Sequence, residues 1–197
     1  DQVTGNCQPE INKATCEDGN KCPVGDACLN GKCVASTGVI VDTLSGSGGI
    51  HGNKGGFANG PGDKALYRYP IGVAVNDAGV VYVCDSSNHR IRRVAADGTT
   101  ATHAGADKVG FLDGKGTAAW FNYPMGLAVG AGGALYVADR YNHAVRKVAA
   151  DGTVTTVAGH ATAGSTNGDV AKARFNQPHS VAVTLGGTLF VADTHNH

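Results

Sequence analysis

At 197 residues with 42% apolar side chains, the chain is long enough to bury a core, and it holds no apolar run of membrane-spanning length. Sixteen basic residues against sixteen acidic ones give a net charge of zero, which removes the overall field that would draw in nucleic acid or an anionic bilayer. Thirty glycines with only 16% charged residues suit many tight turns between short strands, the composition of an all-β repeat protein.

In chain order, the first feature is a cluster of cysteines. Cys7, Cys16, Cys22, Cys28 and Cys33 all fall within the first 33 residues. That density predicts a small disulfide module over residues 1–36, and disulfides persist in oxidising compartments, so an extracellular or cell-surface location is expected. A zinc site is the weaker alternative, because paired Cys-x2-Cys knuckles and a neighbouring His are both missing. Five is an odd number: either one thiol stays free or Cys84 completes the set, and connectivity stays open. The chain starts at Asp1 with no apolar leader, as a processed N-terminus or a cut chain would.

Residues 37–197 form the second region, and here one sentence is written three times at a period of 54 residues. Pro70-Ile71-Gly72-Val73-Ala74-Val75 returns as Pro124-Met125-Gly126-Leu127-Ala128-Val129 and as Pro178-His179-Ser180-Val181-Ala182-Val183. Val81-Tyr82-Val83-Cys84-Asp85 returns as Leu135-Tyr136-Val137-Ala138-Asp139 and as Leu189-Phe190-Val191-Ala192-Asp193. A fixed period of this length marks a repeat architecture. Within one repeat, strands are predicted at 72–75, 80–84, 90–95 and 99–104, divided by turns at 76–79, 86–89 and Asp97-Gly98. Four antiparallel strands per repeat describe one propeller blade. Val41-Asp42-Thr43-Leu44-Ser45-Gly46 matches the segment from Val154 to Gly159, which predicts an outermost strand at 39–45 ahead of the first blade. The third repeat reaches only two strands by His197, so further repeats or strands from another subunit are expected to close the open edges. The 197 residues alone are not expected to form a closed, stable monomer.

These motifs, together with Asn88-His89-Arg90, Asn142-His143-Ala144 and Asn196-His197, resemble the NHL repeat. The resemblance covers residues 39–197 and implies an NHL-type β-propeller, about three blades of it in this chain. It implies a scaffold and not an activity, since such propellers differ widely in function. The cysteine module resembles growth-factor-like small disulfide repeats.

Asp85, Asp139 and Asp193 end the second strands, where a carboxylate accepts hydrogen bonds from the backbone of the turn that follows. Asn88, Asn142 and Asn196 suit left-handed turn positions, and His89, His143 and His197 are expected to stabilise the same turns. Each histidine belongs to a different blade, so the three cannot share one zinc. His179 replaces Ile71 and Met125 where the innermost strand begins. Pro178-His179-Ser180 resembles a segment of the peptidyl-hydroxyglycine amidating lyases, in which it implies one of three channel histidines on catalytic zinc; the two equivalent positions here are apolar. Arg90, Arg92, Arg93, Arg140, Arg146 and Lys147 read as a solvated strand edge, and not as an RNA surface, which would add stacking aromatics. Asn59-Gly60, Asp113-Gly114 and Asn167-Gly168 read as turns and not as calcium loops. Trp120-Phe121-Asn122-Tyr123 and Leu66-Tyr67-Arg68-Tyr69 are expected to wedge between blades.

The functional expectation is a non-catalytic, secreted or cell-surface scaffold with no cofactor, binding a protein or glycan on a propeller face or further copies of itself. Two alternatives stand beside it: a subunit of an extracellular polymer completed by strand exchange, and a zinc-dependent channel enzyme resembling the amidating lyases.

Overall fold

The computed structural model describes residues 26–29, 32–35, 43–46 and 55–197. The chain divides into two compact units, residues 1–42 and 43–197, so the boundary falls slightly after the one composition suggests. In the first unit, β1 (Asp26–Leu29) and β2 (Lys32–Ala35) pair antiparallel, with Cys28 opposite Cys33 and Leu29 opposite Lys32. They flank Asn30-Gly31, a dipeptide suited to a two-residue hairpin connection. Cys7, Cys16 and Cys22 lie outside the described residues.

The second unit is all β. β3 (Pro70–Val75), β4 (Val81–Asp85), β5 (Arg90–Val94) and β6 (Thr100–Ala104) form one antiparallel sheet in sequence order. A two-residue strand, β7 (Gly114–Lys115), then edges a second sheet made of β8 (Pro124–Val129), β9 (Leu135–Asp139), β10 (Ala144–Val148) and β11 (Thr153–Gly159). In the third repeat, β12 (Ser180–Val183) pairs with β13 (Leu189–Ala192). These are the predicted blades, with strand ends within two residues of those read from the repeat.

Local chemistry explains the turns. Asp97 and Asp151 accept hydrogen bonds from the N–H groups of Thr99 and Thr153, 2.9 and 3.0 Å away, and the glycines between take left-handed φ angles of 82° and 84°. The β5–β6 and β10–β11 ladders are both interrupted at one place, between Ile91 and Arg92 and between Val145 and Arg146. A bulge re-aims the side chains beside it, and here both arginines end fully buried.

The main core lies between the first two blades. Tyr82, Cys84 and Ile91 from one meet Phe121, Leu127, Leu135 and Val137 from the other. The innermost strands stand side by side, β3 against β8 and β8 against β12, and their glycines set the spacing. A Cβ added at Gly126 would lie 2.7 Å from the His179 carbonyl oxygen, and one at Gly72 would run into that of Met125.

Ahead of the first blade, residues 44–46 are bends and 43 is irregular, not the strand expected there, and residues 39–42 lie outside the described residues. The predicted register nevertheless fits the contacts. Gly46 N–H donates to the Gly62 carbonyl at 2.9 Å, as Gly105 N–H donates to that of Gly116 at 3.0 Å one repeat later. Among the described residues no helix is long and apolar enough to cross a membrane.

Candidate functional site

Each repeat carries a polar cluster around the aspartate at the end of its second strand, buried in the first two blades and half-buried in the third. Asp85 accepts from Arg92 Nη1 at 2.6 Å, from Asn88 Nδ2 at 2.9 and 3.0 Å, and from the backbone N–H of Arg68 at 2.7 Å. Asp139 accepts from Arg146 at 2.8 Å, Asn142 at 2.7 Å and Asn122 N–H at 2.8 Å. In the third repeat Asp193 accepts from Asn196 at 2.6 Å and Asn176 N–H at 2.7 Å. Sequence reading aims these carboxylates at the following turn; the structure turns them onto the loop 17 residues earlier. The partner Asn88, Asn142 and Asn196 side chains also bind the carbonyls of Gly56, Gly110 and Gly164.

Because the asparagines are held this way, the left-handed residue of the turn is the next one. φ is 55° at His89, 50° at His143 and 63° at His197, which corrects the placement of that conformation on asparagine. The rings reach across to the following blade. His89 Nδ1 accepts the N–H of Tyr123 and His143 Nδ1 that of Gln177, both at 3.1 Å. Burial lowers the pKa of both imidazoles; at His89 the Arg90 charge adds to it, and at His143 Asp193 opposes it. His89 and His143 are latches between blades more than supports of their own turns.

Arg92 and Arg146 correct the expectation of a solvated basic edge. Their side chains are fully buried. Arg92 donates to the carbonyls of Leu66 and Ala58 and to Asn59 Oδ1, and Arg146 to those of Trp120 and Leu112 and to Asp113. Each guanidinium lies against two rings: Phe57 and Tyr67 at 4.8 and 4.9 Å for Arg92, and Phe111 and Phe121 at 4.8 and 5.3 Å for Arg146. The pair clamps the long loop leading into each of the first two blades. Burial pushes the Asp139 carboxyl up against the pull of Arg146. At Asp113 burial works in the same sense, but Arg146 and Thr156 prevail and hold the carboxyl below its usual value. Asn59 and Asp113 thus serve as acceptors for the clamp.

What remains for a ligand is the face made by these lead-in loops and the turns between second and third strands. The two meet through hydrogen bonds such as Ser87 N–H to Arg68 O and Tyr141 N–H to Asn122 O, both 3.1 Å. Tyr69, Tyr123 and Gln177, one before each blade's proline, share positive φ angles of 52°, 60° and 54°. Such conformations are costly for non-glycine residues and gather at functional sites. Tyr69 is 71% exposed and Tyr141 41%. Tyr123 and Tyr141 lie 5.4 Å apart, ring to ring. Of the expected aromatic wedges only part is realised: Phe121 is buried between blades, whereas Tyr69 faces water.

His179 is exposed at the start of the third innermost strand, while Met125 at the equivalent position is buried. Among the described residues no group of three or more His, Cys, Asp and Glu side chains is arranged to hold a metal. Cys84 is a free, fully buried thiol and does not complete the N-terminal cysteine set. Burial and the charges of Asp139 and Asp85 push its pKa well up.

The NHL repeat family matches residues 67–94, 121–148 and 175–197, the three segments that hold these clusters and latches. They are NHL repeats. SUPPRESSOR OF QUENCHING 1, a chloroplastic protein of Arabidopsis thaliana, is 33% identical over 141 residues, 66% of this chain and 13% of that protein. NHL repeat-containing protein 2 of Bos taurus is 30% identical over 161 residues, 74% of this chain and 22% of that protein. The chain therefore spans under a quarter of the length of either relative. A solved auxiliary nutrient binding protein from Bacteroides thetaiotaomicron superposes with a TM-score of 0.58 at 25% identity, over 63% of this chain and 35% of that one. The fold is part of an NHL-type β-propeller, and sequence reading missed the NHL clamp although its parts recur. Arg92 and Arg146 each follow an aspartate by seven residues, and Phe57 and Phe111 stand one period apart.

Proposed function

We propose that this NHL arc is a non-catalytic binding scaffold, secreted or displayed on a cell surface, that takes a protein or glycan ligand on its loop face. The observation that carries this is the division of labour within the repeat. Asp, Asn and His recur, with Arg in the first two blades, and are largely spent on internal bonds, while the residues between them differ from blade to blade and Tyr69, Tyr141 and His195 among them face water. Ser86-Ser87, Arg140-Tyr141 and Thr194-His195 occupy one position, and Tyr69, Tyr123 and Gln177 another. Exposed tyrosines on loops fixed by a rigid frame suit recognition. The nutrient-binding description of the Bacteroides structure supports a ligand-binding reading. The cysteine-rich first unit supports an oxidising compartment, in which its disulfides would persist.

The test is binding of saccharide and secreted-protein panels to the intact chain and to a Tyr69→Ser/Tyr141→Ser variant. A ligand lost in the variant at unchanged melting temperature supports the reading. Equal binding by both forms refutes the assignment of the site to this face.

A further inference from the structure

The junction between the second and third blades differs from the one before it in the turn between second and third strands. Ser86, in the first turn, uses its hydroxyl to hold the Pro124 carbonyl at 2.6 Å. Its counterpart Arg140 instead spends only Nε, donating to Gln177 Oε1 at 3.2 Å, and lays its guanidinium 4.9 Å from the centre of the Tyr141 ring. Tyr141 in turn leans on Tyr123, and Gln177 is fixed from behind by the His143 latch. The two terminal amino groups of Arg140 have no hydrogen-bond partner among the described residues, and no carboxylate there forms an ion pair with it. Tyr123, Tyr141 and Gln177 are each held by the backbone N–H, and the Arg140 fork of N–H donors is left over beside them.

An arginine whose rotamer is fixed by one hydrogen bond and one ring is pre-organised to grip a carboxylate with two parallel N–H donors, without the ordering cost a free side chain incurs. The neighbouring Tyr141 and Tyr123 rings offer apolar faces against which the C–H face of a sugar ring packs. Resting on the loop-face reading above, we propose that Arg140, Tyr141, Tyr123 and Gln177 form a subsite for an acidic saccharide, a sugar ring bearing a carboxylate. Arg140 takes the carboxylate and Tyr141 the ring. The adjacent tyrosine pair favours a sugar over an acidic peptide, which needs the cation but not a stacking platform.

Titration calorimetry at low salt decides it, with the galacturonic acid trimer, the neutral galactose trimer and a hexaglutamate peptide as probes. The acidic trimer is expected to bind the intact chain and to lose about tenfold or more in affinity in Arg140→Gln, since charge-assisted bidentate bonds are lost. Tyr141→Ala should weaken both saccharides, and Arg93→Gln, on an exposed strand position, should change nothing. Arg140→Lys keeps the charge without the fork and should fall between; it stands in if Gln disturbs the turn. Equal affinity for acidic and neutral trimers, untouched by Arg140→Gln, overturns the acidic subsite and leaves the loop-face reading standing. Binding of hexaglutamate alone also overturns it, in favour of a peptide ligand. If Arg140→Gln and Tyr141→Ala are both silent toward every ligand the chain binds, this inference and the loop-face site fail together.

Discussion

Arg92 and Arg146 are charged groups sealed from water, each paired with an aspartate that is equally sealed. A buried pair adds little to stability compared with apolar packing, but removing one partner strands the other charge. Asp85→Ala and Asp139→Ala should each therefore cost about 3–5 kcal/mol, enough to threaten a domain of ordinary stability. Asp113 also touches Arg146, but its side chain is 48% exposed, so Asp113→Ala should cost about 1 kcal/mol or less. Urea unfolding of the three variants checks the contrast, and comparable losses would mean that burial is not what sets the energies. At Cys84 the opposite holds: Ala138 and Ala192 already fill the equivalent sites, so Cys84→Ala should shift stability by no more than about 1 kcal/mol.

Between elements, blades are joined by close backbone approach on one side and by histidine latches on the other. Gly72→Ala forces a methyl onto the Met125 carbonyl, which the innermost strands can relieve only by parting; a loss of about 2 kcal/mol or more is expected in unfolding. The latches are sensitive to acid, because Nδ1 of His89 and His143 must keep its lone pair to accept the next blade's N–H. Their pKa values are lowered in the folded chain, by burial first. Around His89 stand Arg90, Asp107, Arg68 and Asp85, and around His143 Asp193 and His195. A lowered folded pKa means that the stabilisation is fully present above the unfolded value of about 6.5 and is lost as pH falls through the depressed one. His89→Asn/His143→Asn tolerates the left-handed turn and removes both titrations. Its melting temperature should fall less between pH 7 and pH 5 than that of the parent chain, with His103, also lowered by burial, left as background. An unchanged acid slope would exclude the latches as its source.

Strand positions were legible in the sequence because the period of two along each strand and the period of 54 along the chain reinforce one another. Partners of the polar motif residues were not. Asp85 lies beside Ser86 in sequence, yet its ligands come from residues 68, 88 and 92, and only the closed sheet brings these together. A repeat signal also does not tell a buried arginine from an exposed one: Arg92 and Arg93 are neighbours on β5, one sealed and one in water. The loop face was not legible either: the aromatics beside each proline read as wedges between blades, yet Tyr69 faces water, and the one-sided anchoring of Arg140 depends on two blades meeting. For the chain as a whole, the two units separate the cysteines cleanly, since residues 43–197 contain only Cys84 and it is free. If the first unit is held by disulfides, thiol labelling under denaturing, non-reducing conditions should find at most two reactive cysteines. Trp120, the only tryptophan, lies in the Arg146 clamp and reports the second unit alone. Its fluorescence transition on heating should stay put when dithiothreitol is added, because no cystine lies in the blades it reports. Five or six labelled thiols would overturn the disulfide assignment and with it the argument for an oxidising compartment. A Trp120 transition that moves on reduction would instead show that cystines of the first unit support the folding of the second.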